Sequence, residues 1–297
     1  MRILPVVFRT AALVFSALLI SLSLTVSANA QDRGALLPRV SPNASVTQTV
    51  GVTTVEVTYG RPATRDREIF GDLVPYGDVW RTGANEATVV DVSTPVTIGG
   101  ETLAAGRYSL FTIPGENKWT IIFNETADQW GSYNYDGSKD VVRTTTTPVS
   151  GPEHELFTIA FEDVTDTSAT LMIQWADTHV PVEIAVDTPS IIAEKGDEAT
   201  ASADSWQTPL RFAGYALQNN MMLDKAMSWT NASLDIEETF PGLSVKSRIH
   251  AAQGNYDEAV AAGEQAIAMA ESMEEAPRGM DQLRSSLDEW RSMYSTL

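Results

Sequence analysis

The sequence predicts an α+β protein in which an antiparallel β-sandwich, or a barrel-like variant of one, precedes a small α-helical domain. From about residue 48 to 188, apolar and polar residues alternate with a period of two, which is typical of half-buried strands. Turn-forming pairs recur about every ten residues in the same stretch. Beyond about residue 205 the apolar residues follow helical spacing. No dinucleotide- or phosphate-binding glycine loop occurs, and strands do not alternate with helices, so a parallel α/β fold is not expected.

Residues 1–30 have the pattern of a secretory signal. Arg2 and Arg9 precede an apolar run over 11–26. After this run, Ala28-Asn29-Ala30 places small residues where a signal peptidase cuts. The run contains several hydroxyl residues and is shorter than the roughly 20 apolar residues of a membrane span. We therefore expect cleavage after that last alanine and a periplasmic or secreted protein without a membrane span. Retention of the segment as an anchor is the alternative.

The composition excludes several classes of function. Loss of the signal would leave 18 Lys+Arg against 39 Asp+Glu, a formal charge of −21, which repels nucleic acid and anionic membranes. The chain has no cysteine, so disulfides, thiolate nucleophiles and cysteine-bound metals are excluded. His154, His179 and His250 lack metal-binding spacing. We therefore predict neither a metal nor a cofactor.

Composition and hydrophobic periodicity divide the chain into regions. Residues 31–47 carry two prolines among small polar residues and predict a flexible lead-in, and 48–188 form the β-sandwich domain. The clearest strands are Val55–Tyr59, Phe157–Phe161 and Val182–Val186, and the clearest turns are Gly99-Gly100, Pro114-Gly115 and Asp136-Gly137. Residues 189–204 are charged, small and unpatterned, which predicts a linker.

The last region, 205–297, repeats itself. Leu223-Asp224-Lys225-Ala226 returns as Tyr256-Asp257-Glu258-Ala259 after 33 residues, which is close to the period of tetratricopeptide-type helical hairpins. We therefore expect two degenerate helical hairpins followed by a closing helix over Met280–Tyr294. Two hairpins are fewer than such arrays usually need, so docking onto the β domain is the expected role.

Several uncommon words occur in order along the β region: YGRPATRDREIFGDLVPYGDVWRTGANEATVVDVSTPVTIGG, then LAAGRYSLFTIPGENKWTIIFN and QWGSYNYD. In these words the chain resembles the bacterial family catalogued as domain of unknown function 2911, over about residues 45–188, and the helical tail looks like tails that are common in that family. The resemblance implies an exported β domain. It implies no reaction and no catalytic residues.

One segment concentrates residues suited to binding. Arg61, Arg65, Arg67 and Arg81 lie within 21 positions of an otherwise acidic chain, and a guanidinium matches carboxylate, phosphate or vicinal hydroxyl groups. Internal pairing of these arginines with nearby acids is the competing interpretation. The predicted ligand-binding residues are Arg61, Arg67, Tyr76, Trp80, Arg81, Asn85, Glu86, Trp130 and Tyr133.

The aromatic and amide residues of this set suit a sugar, whose apolar face stacks on a ring while its hydroxyls take paired hydrogen bonds. Tryptophan is also a common core residue, which is the alternative for Trp80. The sugar interpretation requires that the segments WRTGANEA and QWGSYNYD meet in space. It also expects that Trp80→Ala and Arg81→Ala abolish ligand binding with little change in melting temperature.

The expected function is therefore that of an exported cell-envelope protein that binds a small polar or carbohydrate-like ligand in a loop pocket of the β domain. The first alternative is a hydrolase acting on a glycan-like substrate through a carboxylate pair, for which Glu68 and Glu86 are the candidates. The second alternative is an assembly module that contacts a protein partner through the helical tail.

Overall fold

The computed structural model describes residues 37–294, which contain ten β-strands and six α-helices. The strands are β1 (Asn43–Val50), β2 (Thr53–Gly60), β3 (Thr88–Val92), β4 (Val96–Ile98), β5 (Glu101–Leu103), β6 (Gly106–Ile113), β7 (Trp119–Asn124), β8 (Asp140–Thr146), β9 (Val149–Glu162) and β10 (Ser168–Ala185). The predicted signal, residues 1–30, lies outside the described residues.

The strands form two antiparallel sheets. One has six strands in the order β1-β2-β3-β6-β7-β8, and the other has four in the order β5-β4-β10-β9. The inner faces of the two sheets enclose the main hydrophobic core. In β2, for example, Val55 and Val57 point into this core and are fully buried, whereas Thr54 is exposed. The predicted fold class, an antiparallel sandwich followed by helices, is confirmed.

The predicted strands and one predicted turn appear at the expected positions. Val55–Tyr59 lies in β2, Phe157–Phe161 lies in β9 and Val182–Val186 begins in β10. Gly99 and Gly100 join β4 to β5 with φ values of 59° and 86°, the left-handed pair that a two-residue hairpin requires.

The chain leaving β2 crosses from one sheet to the other. Thr64 donates its backbone N–H to the carbonyl of Glu155, and Phe157 donates to the carbonyl of Pro62, at 2.8 Å in both cases. Residues 62–64 therefore cover the outer edge of β9 and partly close the sandwich on that side. This crossing carries the arginine-rich segment onto one end of the two sheets.

Two features of the β region differ from the sequence prediction. Residues 43–47, expected in the flexible lead-in, form the first half of β1. They pair in register with β2 from Asn43 opposite Gly60 onward, and Ala44 and Val46 pack against the core. The small polar residues of this edge strand hide its weak alternation from a sequence pattern. Asp136 and Gly137, expected as a hairpin turn, instead begin a single 3₁₀ turn that Asp136 caps.

The helices are α1 (Thr188–Ala201), α2 (Gln207–Gln218), α3 (Leu223–Ile236), α4 (Phe240–Ala252), α5 (Tyr256–Glu271) and α6 (Met280–Tyr294). Helix α1 occupies the predicted linker. Asp187 caps it by accepting from the backbone N–H of Ser190, and Ile192 is buried. Further along, the indole of Trp229 in α3 donates to Asp197 at 2.9 Å. Tertiary contacts thus stabilise a helix whose composition suggests a linker.

Helices α2 to α5 form two hairpins related by sequence offset. Both α2 and α4, and likewise α3 and α5, begin 33 residues apart. Equivalent positions are buried in the two hairpins, as with Ala226 and Ala259. Helix α6 then packs on α5, with Leu283 and Leu287 buried. Among the described residues, no helix combines the length and hydropathy needed to cross a membrane.

Candidate functional site

The loop between β2 and β3 is held by backbone hydrogen bonds along its length. Trp80 and Thr112 of β6 exchange N–H···O bonds of 2.7 and 2.9 Å, and the N–H of Ala84 donates to the carbonyl of Gly60 at 3.2 Å. Gly60 is required here because a Cβ atom at this position would lie 2.0 Å from the Ala84 carbonyl oxygen. These hydrogen bonds therefore fix the backbone of the loop relative to β2 and β6.

The side chain of Trp80 is largely part of the core. It is 7 % exposed, stacks on Trp175 of β10 with ring centroids 5.9 Å apart, and makes edge contacts with Trp119 and Phe157. Its indole N–H donates to the carbonyl of Gly83. Truncation of this ring would open a cavity in the core, so the expectation that Trp80→Ala leaves the melting temperature unchanged is wrong.

A cavity of about 250 Å³ opens beside this indole pair, and we call it the arginine pocket. Its lining includes three basic residues, Arg65, Arg67 and Arg81, and contains no acidic residue. The rest of the lining is mostly apolar, formed by the two stacked indoles with Val40, Pro62, Ala63, Leu73, Val74 and Ala84, together with Ser41 and Gly83. In a chain with 39 acidic and 20 basic residues, this distribution is unusual.

One wall of the arginine pocket comes from residues 39–42, the N-terminal strap. Arg39 donates from Nη1 to both carboxylate oxygens of Glu86, at 2.7 and 2.9 Å. Asn85 donates from its amide to the carbonyl of Ser41 at 3.1 Å, and the N–H of Arg61 donates to the carbonyl of Pro42 at 2.8 Å. The strap is therefore fixed to the loop that carries Arg81.

Two donors that belong to residues lining the arginine pocket have no partner among residues 37–294. Arg81 is half-buried, and its buried Nε atom makes no hydrogen bond to any described residue. Burial lowers the pKa of Arg81 from its ordinary value, while the nearby Tyr133 phenol acts in the opposite direction. Trp175 is 2 % exposed, and its indole N–H likewise finds no acceptor in the described part of the chain. Buried polar atoms in native proteins nearly always have a partner, so these two indicate a missing one.

The other two predicted arginines behave differently. Arg61 points away from the arginine pocket and donates to the carbonyl of Phe157 at 3.0 Å and to the hydroxyl of Thr158 at 2.9 Å. It therefore pins the loop to β9. Arg67 lines the pocket at its exposed rim and is oriented by the carbonyls of Ala63 and Thr64, at 2.7 and 2.8 Å.

The two candidate catalytic carboxylates do not face one cavity. Glu86 is buried and engaged by Arg39, and Glu68 is exposed and does not line the arginine pocket. The sequence did not anticipate Arg39 as the partner of Glu86. A paired, neutralised carboxylate is a poor general acid or nucleophile, so this geometry gives the glycosidase alternative no support.

The segments WRTGANEA and QWGSYNYD lie side by side. Glu86 and Trp130 form a β-bridge, and the N–H of Gly131 donates to the carbonyl of Asn85 at 3.0 Å. Yet Trp130 and Tyr133 are 56 % and 82 % exposed and do not line the arginine pocket. Tyr76 lines a separate cavity of about 110 Å³. The aromatic residues predicted to surround one ligand are thus dispersed.

Of the residues that line the arginine pocket, only Arg67, Trp80 and Arg81 belong to the predicted binding set. Trp175 lies in the inward alternation of β10 and reads as ordinary core, so only its unpartnered N–H distinguishes it. Val40 precedes the first strand, and no periodic signal connects it to a loop about 40 residues later. Arg65 was noted within the basic cluster but not singled out as a binding residue.

A larger cavity of about 730 Å³ lies between β8 and the β4–β10 pair, and we call it the threonine cleft. Its lining includes Thr97, Thr144, Thr145, Thr146 and Thr170, with the carboxylates of Asp163 and Glu183. Among the described residues that line it, no buried side-chain polar atom lacks a partner. Also among the described residues, no three metal-binding side chains cluster in a way that would hold an ion.

Comparison with known proteins gives one match. No curated protein matches the chain, and no solved structure matches it. A family model matches residues 41–184, a stretch that begins just before β1 and ends within β10. The helical region lies outside this match. The match supports the assignment of the β region to the family described as protein of unknown function (DUF2911).

Proposed function

We propose that this protein is an exported binding protein that holds a small organic anion in the arginine pocket. The observation that carries the proposal is the pair of unpartnered donors at one cavity, Arg81 Nε and Trp175 Nε1. A buried donor without an acceptor destabilises the fold by about 1–3 kcal/mol, and more when it is charged. An acceptor supplied by a ligand would remove that penalty.

The charge distribution supports an anion over a neutral ligand. Three guanidinium groups line the pocket, and among the described residues no carboxylate lines it; Glu155, outside the lining, interacts electrostatically with Arg65 and Arg67 but not with Arg81. A guanidinium fork binds carboxylate and phosphate oxygens with two parallel hydrogen bonds. The rim residues Arg65 and Arg67 are exposed, so they are suited to attract an anion, while Arg81 is placed to hold it inside.

Water is the competing partner for the two donors. An ordered water molecule could accept from either N–H group without any functional role. The two explanations differ in their consequences, because a water molecule leaves the positive charge of Arg81 uncompensated. Only the ligand explanation predicts saturable binding of anions that depends on Arg81.

The test compares Arg81→Met with Arg61→Met. We expect that the protein, expressed with its own leader, binds benzoate or phosphate in calorimetric titration and that Arg81→Met weakens this binding at least tenfold. The same variant should match or exceed the unliganded protein in melting temperature, because it removes a desolvated and unpaired charge. Arg61→Met should instead retain binding and lose about 1.5–3 kcal/mol of stability with its hydrogen bonds.

Two results would overturn the proposal. One is the absence of binding by the unmodified protein to every anion tested. The other is unaltered binding by Arg81→Met. If Arg81→Met also unfolds more easily than the unmodified protein, Arg81 is a structural residue of the loop.

A further inference from the structure

We infer that the ligand is a monocarboxylic acid with a small apolar body, and this inference rests on the proposed anion-binding function. The lining residues of the arginine pocket fall into two chemical sets, which we call the donor half and the apolar half. Arg65, Arg67 and Arg81 form the donor half, and hydrocarbon and indole side chains form the apolar half, to which Trp175 adds one N–H donor. The ligand must fit both.

The donor half limits the ligand's polar groups. Ser41 is the single lining residue among those described with a side-chain oxygen, and there is no Asp, Glu, Asn or Gln. A sugar or sugar acid carries several hydroxyl donors, and these would be buried here without side-chain acceptors. A carboxylate has only acceptor oxygens when ionised, so it matches a site composed of donors.

The burial of the arginines limits the ligand's charge. Arg81 is half-buried, whereas Arg65 and Arg67 are exposed at the rim. One buried guanidinium neutralises one negative charge, and a further charge taken out of water would be uncompensated. A monoanion therefore fits better than inorganic phosphate, which carries more charge and makes no use of the apolar half.

The apolar half defines the body of the ligand. Leu73, Val74 and Val40 face the pocket together with the indoles of Trp80 and Trp175. Flat rings and short hydrocarbon chains bury their surface favourably against such a wall, at about 25 cal/mol per Å². A polar body would instead lose hydration without gaining hydrogen bonds.

The volume sets the size. A cavity of about 250 Å³ is slightly smaller than typical small-molecule sites, which span about 300–1,000 Å³. At about 30 Å³ for each water molecule in the liquid, it displaces roughly eight waters, which corresponds to a ligand of roughly eight to ten non-hydrogen atoms. Benzoate, phenylacetate and hexanoate have this size.

The experiment titrates the full chain, expressed with its own leader, with a matched set of probes. The probes are benzoate, phenylacetate, hexanoate, benzamide, glucuronate and inorganic phosphate. Calorimetry measures the affinity, and quenching of tryptophan fluorescence reports occupancy beside Trp80 and Trp175. We expect the three apolar acids to bind at least tenfold more tightly than benzamide, glucuronate or phosphate.

A second pair of variants tests the apolar half. Leu73 is 42 % exposed and lines the pocket, and Leu156 is 39 % exposed and does not. Leu73→Gln should weaken benzoate binding about fivefold and leave phosphate binding unchanged. Leu156→Gln, its matched control, should change neither.

The outcomes separate this inference from the function on which it rests. If phosphate or glucuronate binds as tightly as benzoate, and Arg81→Met abolishes that binding, the proposed anion-binding function is supported. The assignment of the ligand as an apolar monocarboxylic acid is then wrong. If benzamide binds as tightly as benzoate, the carboxylate assignment and the anion proposal both fail. If no probe binds, both fail as well.

Discussion

The threonine cleft and the arginine pocket are two cavities in the described part of the β region, and the smaller of them has the unpartnered polar atoms. The cleft has about 730 Å³ and the pocket about 250 Å³. Every buried side-chain polar atom of the described cleft residues has a partner, whereas the smaller cavity holds two donors without one. In the cleft, for example, the hydroxyl of Thr146 donates to the carbonyl of Pro181.

This difference indicates where binding chemistry remains available. A cavity whose polar groups are already satisfied gains little when a polar ligand replaces water. A cavity with a desolvated guanidinium gains a charge-assisted hydrogen bond when an anion enters. For this reason our proposal places the ligand in the smaller cavity, which has the unsatisfied polar atoms, and not in the larger one.

The largest effect on stability is expected from Trp80, which lines the arginine pocket. Trp80→Ala removes a core indole and should lower the free energy of unfolding by about 3–5 kcal/mol, measured by chemical denaturation. Trp130→Ala, at an exposed indole of the neighbouring loop, is the control and should change stability by less than about 1 kcal/mol. If Trp80→Ala lowered the free energy of unfolding by less than about 1 kcal/mol, the indole would be a surface for ligand stacking and not a part of the core.

An intermediate effect is expected where the loop touches β2. In Gly60→Ala the new Cβ would meet the carbonyl of Ala84, so the 81–84 loop must shift. We expect a loss of about 1–3 kcal/mol, as for other overpacking substitutions, together with weaker anion binding in calorimetry.

The control for this change is Gly214→Ala in α2, where nothing lies within 4 Å of the added atom. This variant should keep binding and gain up to about 1 kcal/mol from helix propensity. Unchanged binding in Gly60→Ala would show that the pocket does not depend on the position of that loop.

The smallest effect concerns pH at the rim. Glu155 accepts hydrogen bonds from the hydroxyl of Thr64 and the N–H of Arg65, and these bonds lower the pKa of Glu155 below its usual range. Because the folded-state pKa is lowered, the stabilisation is complete above about pH 4.3, the ordinary glutamate value, and is lost as the pH falls through the lower folded value.

Binding of benzenesulfonate, which stays ionised in acid, should therefore hold at pH 5 and weaken modestly below about pH 4. In Glu155→Gln that acid-dependent part should disappear. Glu183→Gln in the threonine cleft should leave the pH profile as it is in the unmodified protein. A profile that is the same in all three proteins would exclude Glu155 as a support of the rim.

The fold was predictable from the sequence because it depends on local patterns. Alternation over Val55–Tyr59 and the Gly99-Gly100 pair report strand and turn directly. Helix α1 was not predictable in this way, since its burial depends on Trp229 and on the core of the β region, both distant in sequence. The arginine cluster of the sequence includes Arg65, Arg67 and Arg81, which line the pocket where we propose the site.

The sequence could not predict which arginines of that cluster have hydrogen-bond acceptors within the protein. Arg61 and Arg81 are chemically identical residues in one segment, and only the three-dimensional course of β9 gives the first its acceptors and leaves the second without any. The same holds for Glu86, whose partner Arg39 is 47 residues away. Pairings of this separation leave no periodic trace in a sequence.

The N-terminal strap has a practical consequence for the handling of the protein. Val40 and Ser41 form part of the pocket wall, and Arg39 fastens that wall through Glu86. An affinity tag joined directly ahead of Leu37 would therefore lie within a few residues of the pocket wall. No described residue of α6 lines the pocket, so ligand screens belong on C-terminally tagged material.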